Sequence, residues 1–172
     1  RNQTGHHLIY DAVRGVQKFI QSSTNNAEST NANTLTSFDS DGMTFNSADN
    51  GNASGSNGVA WCWKANGAGS ANTDGTINST ATSANTTAGF AIIKYTGNAT
   101  QGATLGHGLG VKPSLIIVKS STNAEAWVVG GNGLNATNPY DYYLHLHTQD
   151  ERGQNNNRFG NVLPTTSVFS LG

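Results

Sequence analysis

The sequence predicts an all-β protein: an antiparallel β-sandwich of jelly-roll or concanavalin-like type, with about ten short strands and long polar loops. Short runs rich in Val, Ile, Phe, Tyr, Trp and Thr recur along the chain. Turn-forming pairs such as Asp41-Gly42, Asn57-Gly58 and Asp74-Gly75 separate these runs. The predicted strands are residues 7–10, 17–21, 34–38, 43–46, 59–64, 90–95, 114–119, 126–129, 142–147 and 167–171.

Residues 10–21 allow a second interpretation, because their apolar side chains also have near-helical spacing. Gly15 lies in the middle of this stretch, and strand signals flank it on both sides. A hairpin that turns at residues 11–15 is therefore the favoured prediction.

An internal repeat sets the expected domain organisation. Residues 126–129, 142–148 and 167–171 reproduce the order and approximate spacing of residues 7–10, 16–22 and 42–46. Repeat units that cannot bury their own faces share a core with their neighbours. We expect one sandwich over residues 1–172, made of two partial repeats, 1–65 and 89–172, joined by a Ser/Thr/Asn/Gly-rich linker at 66–88. Two small β domains are the alternative.

Charge excludes some partners. The formal net charge is −1 and only 11% of residues are charged, so no basic field attracts nucleic acid. No apolar run approaches the roughly 20 residues needed to cross a bilayer, so we expect no membrane insertion.

Three tryptophans are candidate ligand-binding residues: Trp61, Trp63 and Trp127. On a strand over 59–64, Trp61 and Trp63 would share one face, and Cys62 would be buried as a small hydrophobe on the other. Aromatic faces stack on sugar rings, and the neutral loops offer amides and hydroxyls to a glycan. Core packing is the alternative for all three indoles.

Two clusters suggest metal sites. His145 and His147 would face the same side of a strand and could supply two ligands to a transition metal, although an ordinary half-buried strand is the alternative. Asp39 and Asp41, with Asp49 nearby, resemble part of a calcium loop; a plain hairpin turn is the alternative there. No other cofactor is expected.

Glycoside hydrolysis requires two carboxylates across a cleft. Glu28, Glu125 and Glu151 all lie in loop-like polar contexts, and none has a second acid at its side on an aromatic strand. We therefore expect no catalytic residues and no enzymatic activity.

Several separated motifs carry a family resemblance, and they occur in order at residues 7–15, 35–44, 52–55, 59–65, 89–90 with 95–98, and 106–113 with 116–119. Together they resemble a repeat of phage tail-fibre and related virion proteins, particularly those of marine and cyanobacterial phages. The resemblance implies a concanavalin-like or laminin-G-like sandwich in a virion appendage, and it carries over no binding residue.

These observations lead to one functional expectation. The chain is expected to be a non-enzymatic structural module of a phage tail fibre or similar virion appendage that helps to recognise a host-surface glycan. We expect a homo-oligomer, with a trimer favoured, in contact with other virion proteins. The alternatives are a stand-alone lectin-like carbohydrate-binding module and, less favoured, a polysaccharide depolymerase.

Overall fold

The computed structural model describes residues 5–46 and 52–172, which form an all-β, antiparallel, sandwich-like fold of short strands. The strands are β1 (Leu8–Ile9), β2 (Lys18–Gln21), β3 (Ser29–Thr30), β4 (Leu35–Phe38), β5 (Met43–Phe45), β6 (Ala81–Asn85), β7 (Phe90–Lys94), β8 (Thr104–Gly106), β9 (Leu115–Val118), β10 (Val128–Gly131), β11 (Tyr142–His145), β12 (Gly153–Gln154) and β13 (Val168–Ser170). One 3₁₀ turn, Pro139–Asp141, precedes β11. In the ranges described, no helix has the length and apolar character that a membrane span requires.

The predicted hairpin at the start of the chain is confirmed. β1 pairs antiparallel with β2, with Leu8 opposite Gln21 and Ile9 opposite Ile20. Within the turn, the Asp11 carboxylate accepts a hydrogen bond from the backbone N–H of Arg14 at 2.8 Å. Gly15 adopts φ +93°, a conformation that side-chain-bearing residues rarely take. These local features prevent a continuous helix over residues 10–21 and reverse the direction of the chain between β1 and β2.

The strands form two larger sheets and three two-stranded pairs. One sheet has the order β1-β2-β3 and the other the order β12-β11-β10-β9. The pairs are β4 with β5, β6 with β7, and β13 with β8. All of the named strand pairings are antiparallel, as predicted.

The main core is built from residues between positions 77 and 169. Its buried members are Ile77, Ala103, Leu105, Ile116, Tyr140, Phe159 and Phe169. Tyr140 and Phe159 meet edge to face with ring centroids 5.7 Å apart, a favoured aromatic geometry. Burying one such side chain contributes roughly 1.5–3 kcal/mol, so this cluster supplies much of the stability of the fold. Ile20 and Leu35, outside this cluster, are also buried.

Every predicted strand overlaps an observed one except residues 59–64, and that prediction is wrong. This segment belongs to no strand, and all of its side chains are exposed. A β-rich composition produces a strand only when a neighbouring edge completes the backbone hydrogen bonds. Sequence reasoning also missed four strands that are short or poor in large apolar residues: β3, β6, β8 and β12.

Residues 66–88 are not a plain linker, which corrects a second prediction. They contain β6, which forms a five-residue ladder with β7. Ile77 and Ser83 are buried, and Ile77 forms a parallel bridge with Leu105 in the core. The polar composition did not indicate a strand, because the buried side chains here include the small hydroxyls of Ser79 and Ser83, which have hydrogen-bond partners. The choice between one sandwich and two small domains stays a prediction.

The two halves share a topological pattern that parallels the sequence repeat. β1, β2 and β3 form an antiparallel meander in chain order, and so do β10, β11 and β12. The first two members of each meander are the segments that match in sequence. The third matched pair differs, because β5 joins β4 whereas β13 joins β8.

Candidate functional site

Three aromatic side chains form a cluster, here called the aromatic platform: the exposed Trp61 and Trp63 and the half-buried Phe90. The rings of Trp63 and Phe90 are stacked, with centroids 6.1 Å apart and planes at 21°. Trp61 meets Trp63 edge to face at 6.4 Å and 87°. Trp61 is 78% exposed and Trp63 is 64% exposed. The platform therefore presents large apolar rings to solvent.

The β6–β7 hairpin fixes one side of the platform. Phe90 begins β7 opposite Asn85, the last residue of β6. The Asn85 side-chain oxygen accepts hydrogen bonds from the backbone N–H groups of Thr87 and Ala88, and Gly89 takes φ +66° to close the turn. Tight turn geometry thus holds the Phe90 ring at the edge of the platform.

The tryptophan segment is anchored just after Trp63. The backbone N–H of Asn66 donates to the hydroxyl of Ser83 at 2.8 Å, and Ser83 is fully buried in β6. Ser70 continues the attachment with a bridge to Thr82. The segment is therefore attached to the same hairpin that carries Phe90, and this explains how residues distant in sequence meet.

Comparison with known proteins identifies the family to which the chain belongs. A family model with the description "Domain of unknown function (DUF7483)" matches residues 1–172. The chain belongs to the DUF7483 family. No curated protein and no solved structure matches it. The match spans the aromatic platform, the core and both meanders, so all of them are features of a DUF7483 domain.

Two further predictions about the tryptophan segment of this DUF7483 chain are corrected by the structure. Cys62 was expected to be buried, and it is exposed. Trp61 and Trp63 were expected to share one strand face, yet they lie on an irregular segment and meet edge to face. Both errors follow from the absence of a strand at 59–64, because alternation of side chains holds only where the backbone is paired and extended.

Trp127 has a structural position, which corrects its assignment as a ligand-binding residue. It is 6% exposed, and its indole N–H donates to the backbone carbonyls of Gln21 at 3.1 Å and Thr24 at 2.9 Å. A buried ring offers no free face on which a sugar could stack. The core-packing alternative is the one that the DUF7483 structure supports for this residue.

His145 and His147 lie close together, with ring centroids 5.7 Å apart. His145 is the last residue of β11, and its Nδ1 lies 3.6 Å from the Asp150 carboxylate. Across residues 5–46 and 52–172, no group of three or more His, Cys, Asp or Glu side chains is placed to hold a metal ion. Two imidazoles are fewer ligands than a closed site uses, so a metal here stays a prediction that requires ligands from elsewhere.

Asp39 and Asp41 lie at the β4–β5 turn. The backbone N–H of Asp39 donates to the carbonyl of Gly42 at 2.9 Å, and the Asp39 carboxylate accepts from the Thr44 hydroxyl at 2.8 Å. These contacts are those of the plain hairpin turn, the alternative to a calcium site. The third acid considered in the prediction, Asp49, lies outside the described residues.

His107 is the most buried imidazole in the described residues, at 2% exposed. Its Nδ1 accepts from the backbone N–H of Leu109 at 3.1 Å, so Nε2 carries the proton that faces the carbonyl of Thr165 at 3.3 Å. Burial lowers the pKa of His107 below its usual value, and the Thr165 carbonyl and the negative charge of Asp74 partly oppose this. The ring serves as a neutral structural group that joins the segment after β8 to the carbonyl of Thr165.

Sequence reasoning missed Phe90 as a platform residue. The sequence predicted it as part of a strand, which is correct, but nothing in the spacing of Phe90 and Trp63 indicates that their rings stack. The only signal was indirect: Phe90 directly follows the turn-forming stretch from Asn85 to Gly89, which indicates a hairpin tip beside it.

Proposed function

We propose that this DUF7483 chain is a non-enzymatic structural module of a phage tail fibre or similar virion appendage, and that it binds host-surface glycans through the aromatic platform. The observation that carries the glycan-binding part is the exposure of Trp61 and Trp63 beside Phe90. The virion location rests on the resemblance of the ordered sequence motifs to tail-fibre repeats.

Two exposed indoles contribute little to folding stability, and this favours a role for them in binding. Full burial of a large apolar side chain is worth roughly 1.5–3 kcal/mol, and the two platform tryptophans forgo most of it. Contiguous exposed apolar surface on a soluble protein commonly marks an interaction site. The rings are flat, rigid and few in rotamers, so a ligand that covers them pays little side-chain entropy.

A carbohydrate fits this chemistry better than an apolar ligand does. A pyranose ring has an apolar C–H face that can lie on an indole, and its hydroxyls need hydrogen-bond partners at the rim. The residues around the platform are largely neutral and polar, including Asn66, Asn85 and Thr87, and Lys64 adds one cation. Apolar contact below and amide or hydroxyl groups at the sides are the usual construction of a small-molecule site.

Glycan binding is tested with single tryptophan variants. The purified chain is screened on a glycan array, and the best ligand is then titrated by calorimetry against wild type, Trp61→Ala and Trp63→Ala. Each substitution should weaken binding by about tenfold or more, because aromatic anchors carry most of the energy of such contacts. Val59→Ala is the matched control: Val59 is 80% exposed in the same segment, and its side chain is not part of the ring cluster.

Three results would oppose the proposal. Equal affinity of all variants would exclude the platform as the binding surface. If the wild-type chain binds no bacterial or synthetic glycan on the array, a glycan is not its ligand. Release of reducing sugar from host polysaccharide by the wild-type chain would contradict the non-enzymatic part and favour a depolymerase.

A further inference from the structure

We propose that copies of this chain associate by strand addition, with β9 of one copy pairing along the open edge of β1 in the next. This surface is separate from the aromatic platform and does not depend on glycan binding. The internal repeat indicates the partner, because the chain already shows which strand lies beside a meander of this kind.

The two meanders differ at their outer edges, beside β1 and β10. The β10-β11-β12 meander has a fourth strand, β9, on the outer side of β10. The corresponding side of β1 has no strand among residues 5–46 and 52–172. Since β1 is the counterpart of β10 in both sequence order and topology, a strand like β9 is the natural neighbour for its open edge.

β9 itself has an open edge that suits this role. It pairs with β10 alone, and within the described residues its other side meets no strand. The backbone N–H of Asn132 donates to the carbonyl of Ser114, so residues 114, 116 and 118 direct their backbone groups toward β10. By the same alternation, the N–H and C=O groups of Leu115 and Ile117 point outward.

The side chains along this edge are apolar and exposed. Leu115 is 60% exposed and Ile117 is 46% exposed, and Val111 just before the strand is 58% exposed. Soluble proteins usually protect a free edge with charges, proline or a bulge, because an unprotected apolar edge pairs with other chains. Here the sequence Leu-Ile-Ile-Val carries none of these protections within the strand.

The β1 edge offers the complementary backbone groups. The N–H of Ser22 donates to the carbonyl of His7, so residues 7 and 9 face β2, and the backbone groups of Leu8 point to the open side. An antiparallel addition would place the Leu8 side chain beside Leu115 or Ile117 of the neighbouring copy. Backbone hydrogen bonds would supply affinity, and the aliphatic contacts would fix the register.

This interface is heterologous, because each copy contributes two different edges. Such contacts either close into a ring or continue as an open chain. A closed ring of three copies agrees with the trimer expected from the sequence. A symmetric β9-to-β9 dimer is the competing arrangement, and the experiment separates the two.

The mass of the chain in solution is measured by light scattering coupled to size exclusion, over a range of concentrations. We expect the wild-type chain to associate. Ile117→Pro should raise the dissociation constant by at least about tenfold, because proline removes an outward N–H and leaves the ladder to β10 intact. Ile117→Val keeps the N–H and should associate like wild type. If circular dichroism shows that the proline variant does not fold, Ile117→Lys is a second disrupting variant that needs no backbone change.

Cross-linking decides which edges meet. In a Cys62→Ser background, one preparation carries Leu8→Cys and another carries Ile117→Cys, and the two are mixed with a short bismaleimide. Cross-linked dimers that form only in the mixture support the proposal. Dimers formed by Ile117→Cys alone would establish the symmetric arrangement, and a wild-type chain that stays monomeric at every concentration would also overturn the proposal.

Discussion

The indole N–H of Trp127 donates to the backbone carbonyl of Thr24 at 2.9 Å, across more than half of the chain. The same N–H reaches the carbonyl of Gln21, the last residue of β2, at 3.1 Å. Nearby, the backbone N–H of Glu28 donates to the carbonyl of Ser121 at 2.9 Å. These contacts join the β1-β2-β3 meander to the loop between β9 and β10, so Trp127 connects the two repeats.

Trp127 should therefore contribute to stability and not to ligand binding. Trp127→Ala is expected to lower the free energy of unfolding by about 3–5 kcal/mol, the usual cost of removing a buried large aromatic. Trp127→Phe keeps most of the ring and loses the N–H, so a loss nearer about 1–2 kcal/mol is expected. Urea unfolding of the three proteins measures both values. An alanine variant as stable as wild type would contradict the connecting role.

The sequence predicted strands well where turn chemistry is local. Asp11 and Gly15 make the β1–β2 turn from their own side chain and backbone, so the hairpin can be read without knowledge of the rest of the fold. β6 has the sequence Ala-Thr-Ser-Ala-Asn and little intrinsic signal. It becomes a strand because β7 lies beside it, and that pairing is information from tertiary structure.

The same limit applies to the candidate site. Trp61, Trp63 and Trp127 look equivalent in sequence, since each lies in a short apolar run. Burial separates them: Trp127 packs under the first meander, whereas no element covers Trp61 and Trp63 in the described structure. Exposure depends on which segments fold over a residue, and spacing along the chain does not encode it directly.

Gly130 should tolerate no side chain. A Cβ at this position of β10 would lie 2.6 Å from the Phe159 ring, and Phe159 is itself 1% exposed and packed against Tyr140. Gly130→Ala is expected to cost about 1–3 kcal/mol through overpacking. Gly133→Ala is the control, because a Cβ there meets nothing within 4 Å and its φ lies outside the left-handed region. Thermal unfolding should separate the pair; equal melting temperatures would contradict the packing described for Phe159.

His107 should make the protein sensitive to acid. Burial lowers its pKa in the folded state below that of the unfolded chain, so the unfolded state binds a proton first. The contribution of His107 is complete above about pH 6.5 and is lost as the pH falls through the lowered folded-state pKa. His107→Gln should reduce the decrease in melting temperature between about pH 7.5 and about pH 5.5, whatever its effect at neutral pH. His6→Gln, at an exposed position, is the control. An unchanged pH dependence in His107→Gln would assign the acid sensitivity to other groups.

Cys62 gives a direct test of the exposed tryptophan segment. It is the single cysteine of the chain, and its thiol is exposed between Trp61 and Trp63. A chromogenic disulfide reagent should therefore titrate one thiol in the native protein at nearly the rate seen in denaturant, and Cys62→Ser should give no signal. A bulky maleimide on Cys62 should also weaken glycan binding, because it occupies space beside both indoles. Slow native labelling would mean that the segment is covered in solution, and it would require a different explanation for the exposed platform.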